Sequence, residues 1–153
     1  MIKDDGDIVR GLGFVVMNSA HLEGWINELL FHFNSIEEYT EKQQRWTISR
    51  KIKKIKGILS KSADPLAKEI CDDLDLCSEH FEWRNELVHG RIYSPEYHKD
   101  NLRSSRPNVP NRKAASEELY TLANNLDKLS ARIYRPTIFK LPRLIEKLKQ
   151  KNL

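Results

Sequence analysis

Apolar stripes separated by polar breaks organise the chain. From Ile8 to Phe33 the positions Ile8, Leu12, Val15, Leu22, Ile26, Leu29 and Phe33 advance in steps of three and four, with Ser19 in the one gap. That spacing lines one side of an amphipathic helix. Asp7 suits its cap. A second stripe, Val9, Val16, Glu23 and Leu30, advances by seven. Its odd member, Glu23, needs water or a cationic partner beside an apolar seam. After a polar break at 34–39, Thr40 and Gln43 form a capping-box pattern. A second helix is predicted from there to about Leu59, with Ile48, Ile52, Ile55 and Leu59 on one face. Gly57 weakens its last turn.

Asp64-Pro65 is a strong helix start, pairing a capping side chain with Pro at the first helical position. The third helix carries Ile70, Leu74, Cys77, Phe81, Arg84 and Val88 at steps of four and three, which puts Arg84 in a core seam. The pattern then lapses from Arg91 to Lys113, where Ser94-Pro95, Arg106-Pro107 and Val109-Pro110 interrupt scattered basic residues. So long a stretch without helical period is either functional or partly disordered. A long loop or a small hairpin fits it. Ser116 is the expected cap of a fourth helix, with Leu119, Leu122, Leu126, Leu129 and Ile133 on its core face and Pro136 at its end. A last short helix begins near Pro142, with Leu144, Ile145 and Leu148 as its apolar positions. The expectation is an all-α, up-and-down bundle of four main helices plus a short C-terminal helix. It forms a single domain over residues 1–153, with an extended basic loop at 91–115.

Length changes this picture little: 153 residues with 39% hydrophobic content suffice for one core. No apolar run approaches the ~20 residues of a membrane span, and the N-terminus lacks a signal-peptide pattern. Cys71 and Cys77 share one predicted helix without metal-site spacing, so they read as reduced core residues of a cytoplasmic protein. No cofactor motif is present. Gly11 and Gly13 open an amphipathic helix and do not form a phosphate-binding loop.

The net charge of +4 is unevenly spread. Residues 42–61 hold eight Lys/Arg and no acid, 64–86 eight acids and two basics, 91–113 six basics and two acids. The basic blocks suit an anionic partner such as RNA, or they are one-signed solvated faces.

Chemistry crowds into Arg84-Asn85-Glu86-Leu87-Val88-His89-Gly90. An always-charged guanidinium in a core seam is costly unless it is paired or faces a wet cleft. Arg84 therefore either seals the seam against a carboxylate or binds an anion; Glu23 is a candidate to steady it. His89 suits proton transfer near neutral pH, with an unperturbed pKa of about 6.5. It also suits a helix C-terminus, where it meets the dipole. Arg84 can grip two phosphate oxygens. Asn85 could orient His89 or bind ribose or phosphate. On an ideal helix, Asn85 and His89 share a face, whereas Arg84 and His89 are splayed by ~140°. Either the helix breaks near His89, or two chains pair so that both Arg–His sets line one cleft. Arg91, Arg103 and Arg106, with Tyr93, Tyr97 and His98, could hold phosphates and stack on bases.

The Arg84-Asn85 pair followed four residues later by His89, in a small helical chain, resembles the HEPN superfamily. That resemblance implies an all-helical domain and a metal-independent endoribonuclease acting as a homodimer, with Arg84, Asn85 and His89 in a composite site. It also implies a toxin or phage-defence effector with a cognate antitoxin or inhibitor. Some HEPN proteins carry Tyr two residues after the motif His; here Arg91 holds that place and the nearest Tyr is Tyr93. A rival expectation is a non-catalytic HEPN-like module that binds RNA, nucleotide or a protein partner. A third is a helical scaffold in which Arg84 is structural.

Overall fold

The computed structural model describes residues 1–93, 101–103, 112–113 and 115–151. The fold is all-α in class. Six helices lie among the described residues: α1 (Ile8–Phe33), α2 (Glu41–Gln44), α3 (Ile48–Leu59), α4 (Pro65–His89), α5 (Ser116–Phe139) and α6 (Leu141–Lys151). Between α4 and α5, a small antiparallel sheet joins β1 (Arg91–Tyr93), β2 (Asn101–Arg103) and β3 (Arg112–Lys113) in that order. No helix among the described residues is long and apolar enough to cross a membrane. The chain divides into two compact units, Met1–Ala20 with Glu79–Lys128, and His21–Ser78 with Leu129–Leu153.

In the first unit Asp7 caps α1, as its position predicts: the Arg10 N–H donates to Asp7 Oδ1 at 3.0 Å. Val15, Phe81, Leu87, Leu119, Leu122 and Leu126 are buried. Gly11 marks a close approach of α1 to α5, since a Cβ there would lie 3.0 Å from Leu119 Cβ. The Asn18 side-chain amide donates to the Ala123 carbonyl at 2.9 Å. The segment before α1 is tied to α5: the Ile2 N–H donates to Asn124 Oδ1 at 2.7 Å and the Tyr120 hydroxyl donates to Asp5 at 2.6 Å. Burial, then that bond, pushes the Tyr120 hydroxyl up to about 12, and the same bond holds the Asp5 carboxyl low.

The second unit buries Leu22, Ile26, Leu29 and Phe33 of α1, Ile52, Ile55 and Leu59 of α3, and Ile70, Leu74 and Cys77 of α4. Leu129 and Ile133 of α5 and Leu141, Leu144 and Leu148 of α6 complete its core. Cys71 and Cys77 are free thiols, and burial raises Cys77 to about 12. A thiol held that high stays protonated and unreactive.

Four local expectations need correction. The helix predicted from Thr40 to Leu59 is two helices. The capping box forms, with the Thr40 N–H donating to Gln43 Oε1 at 3.0 Å, but Thr47 leaves helical geometry at ψ 153°. Apolar periodicity begins only at Ile48, so nothing holds the polar turn before it to a core. Pro136 does not end α5, which continues to Phe139. Only one backbone bond is lost so near a helix end. Ser116 is the first helical residue, and the Ala115 carbonyl accepts the opening bonds from Glu118 and Leu119. Finally, the seam of α4 ends on buried Leu87, leaving Val88 44% exposed. Both are apolar, and the pattern alone could not choose between them.

Candidate functional site

The motif occupies the last turns of α4 in the first unit. Asp64 opens this helix by accepting from the Leu66 N–H at 3.0 Å. Buried Phe81 then anchors the site end. Arg84, one turn on, sets its guanidinium over the Phe81 ring, 5.5 Å from the centroid. Its Nη1 donates to Asn85 Oδ1 at 2.9 Å. Arg84, Asn85 and Glu86 are half-buried; Glu82 and His89 are exposed. Arg84 thus sits at the margin of the core, not within the seam that its spacing predicts.

Asn85 follows directly on the same helix. Its oxygen is engaged by Arg84, so it fixes the guanidinium. Its Nδ2 group remains as a donor. His89 is the last residue of α4, where a protonated imidazole meets the negative end of the dipole. The helix is continuous from Arg84 through His89, so the break lies after the histidine. The two side chains therefore leave the helix ~140° apart. A break near His89 does not bring them together within one chain.

Past Gly90, register organises the basic residues. Arg91 is the cross-strand partner of Arg103, Tyr93 of Asn101, and Asn101 of Lys113. Of the expected RNA contacts, Arg91 and Arg103 are thus brought together. Arg106, with Tyr97 and His98, lies outside the described residues. Glu23 is half-buried on the part of α1 that belongs to the second unit.

Asp73 was also missed. It is 2% exposed and forms an ion pair with Arg132 of α5. Desolvation raises its carboxyl, and Arg132 opposes the shift. Its signal was faint: it lies three residues after Ile70, on the flank of the apolar stripe.

Compared with known protein families, with curated proteins and with solved structures, the chain matches none.

Proposed function

We propose that this chain is a metal-independent endoribonuclease of the HEPN type, acting as a homodimer whose paired α4 helices line one cleft. The observation that carries the reading is the end of α4. There a half-buried arginine is fixed by the next residue, an exposed histidine closes the helix, and the Arg91–Arg103 register pair follows. In the reaction, the ribose 2′-oxygen bonds to the adjacent phosphorus as the bond from phosphorus to the 5′-oxygen breaks. One His89 takes the 2′-OH proton; the 5′-oxygen leaves with a proton from the second His89 or from water. Arg84 neutralises charge building on the phosphoryl oxygens. The products are a 2′,3′-cyclic phosphate and a 5′-OH.

Two chains are required because one α4 does not aim Arg84 and His89 at one atom. Exposed Val88 in the motif, with exposed Val9, Val16 and Met17 in the same unit, offers apolar surface for the pairing. The same reading makes the protein a toxin or defence effector restrained by an inhibitor. The splayed pair also favours a second reading if the chain is monomeric: a module that holds RNA without cutting it.

RNA cleavage in EDTA, wild type beside His89→Ala, with product ends identified and mass measured by sedimentation, tests this. Cyclic-phosphate ends from a dimer, lost in the variant, are expected. A folded dimer that binds RNA and never cuts it would remove the nuclease reading.

A further inference from the structure

The second unit holds a cleft of about 410 Å³ lined by Glu37, Gln43, Trp46, Arg50, Lys53 and Lys54. It shares no residue with the α4 motif. Its chemistry follows from which groups are already engaged. Lys54 Nζ donates to Glu37 at 2.9 Å and to the Glu38 carbonyl at 2.8 Å. Lys61 stands 3.9 Å from the other Glu37 oxygen. The one carboxylate of the cleft is therefore neutralised. Arg50 and Lys53 are exposed, and neither has a carboxylate partner among the described residues. The Gln43 oxygen is taken by the Thr40 N–H, so its Nε2 remains to donate. Trp46 is half-buried beside these groups.

An aromatic face, an amide donor and two cations without counter-ions, gathered in one concavity, suit a ligand that is both planar and anionic. We propose that this cleft binds a nucleotide, its base stacked on Trp46 and its phosphate held by Arg50 and Lys53. The α3 terminus adds to the field, since its first turn carries no acidic residue and Thr47 makes no side-chain cap. Arg50 and Lys53 belong to a run of eight Lys/Arg without an acid at 42–61, of which Lys54, Lys56 and Lys61 have carboxylate partners. The nucleotide is either free or one unit of a single-stranded RNA.

The site stands independently of the nuclease reading, and its test is run on His89→Ala protein so that binding alone is measured. The probes are 5′-AMP, followed by calorimetry, and fluorescein-labelled ten-residue oligoadenylate RNA, followed by anisotropy. Trp46→Ala is expected to weaken the bound probe by at least about fivefold, the lower bound for one base–aromatic stack. Arg50→Glu with Lys53→Glu weakens it further and flattens the salt dependence of RNA binding by roughly 0.7 for each phosphate that is no longer neutralised. Lys42→Glu, a basic residue outside the cleft, changes affinity less than Lys53→Glu. Tight binding of 5′-AMP identifies a free nucleotide; binding of RNA alone identifies a strand. Equal affinity, within twofold, of wild type and both cleft variants for both probes overturns the proposal, as does an equal effect of Lys42→Glu and Lys53→Glu. If Trp46→Ala does not fold, the charge variants at the exposed positions 50 and 53 decide.

Discussion

Asp73 and Arg84 are both charged residues of α4. Asp73 is 2% exposed and is matched by the Arg132 guanidinium from α5. Arg84 is half-buried, with the Phe81 ring and the Asn85 oxygen of its own helix among its contacts. A sealed-off charge must bring its counter-ion with it; even so, desolvation lifts the Asp73 carboxyl above its ordinary range. A half-buried charge at the core margin keeps part of its contact with water. Burial thus differs sharply between the two charges, and the proposed function assigns chemistry only to the half-buried one.

Removing each guanidinium in turn breaks or sharpens that distinction. Arg84→Ala is expected to lower RNA cleavage by at least about 10²-fold, the scale of losing one transition-state cation or donor. Its melting temperature should fall by less than that of Arg132→Ala, because Arg84 is half-buried, whereas removing Arg132 strands a carboxylate that is 2% exposed. Arg132→Ala should do the reverse. It strands a buried carboxylate, at a cost of about 3 kcal/mol. For a domain of this size that lowers the melting temperature by roughly 6–12 °C. Cleavage per folded molecule should be unchanged. Parallel melting and cleavage assays check both, and equal melting losses would make Arg84 a structural residue like its counterpart on α5.

The difference also marks where sequence reasoning reached. The long helices were legible because their apolar positions keep a helical period over many turns: Leu119, Leu122, Leu126, Leu129 and Ile133 are all buried as the pattern requires. Local capping chemistry was legible at Asp7, Thr40 and Asp64. The place of Arg84, Asn85 and His89 on the last turns of one helix was legible because they are near neighbours in sequence. Asp73 and Arg132 were not, because their pairing joins two helices far apart in sequence. The backbone pairing of Arg91 with Arg103 depends on strand register, which no local pattern fixes when strands are two or three residues long. The cleft at Trp46 needed the break between α2 and α3, which periodicity alone passed over.

A smaller effect tests whether Arg84 is held as its geometry implies. Asn85→Ala removes one hydrogen bond to a charged group, worth about 1.5–3 kcal/mol at most. Cleavage is expected to fall about tenfold, because the guanidinium loses its orientation but not its charge. On an Arg84→Ala background the same change should cost almost nothing further. A full additional loss in the double variant would instead give Asn85 a role on ribose, phosphate or His89.

The smallest effect separates two histidines of α4. His80 is half-buried, and desolvation lowers its pKa from 6.5 against the opposing pull of Glu79. The unfolded chain therefore binds a proton more readily than the folded one. Between the folded pKa and 6.5, stability must rise with pH, and above that window His80 contributes no further slope. Melting temperature measured across this range should climb and then level off in wild type. In His80→Gln the climb should be shallower, since the buried imidazole no longer resists charging. Cleavage by His80→Gln should keep its dependence on pH, because the proposed reaction does not use His80. If His80→Gln flattened the cleavage profile while leaving the melting curve unchanged, the two histidines would have exchanged roles. The boundary between structural and chemical groups on α4 would then have to be redrawn toward Phe81.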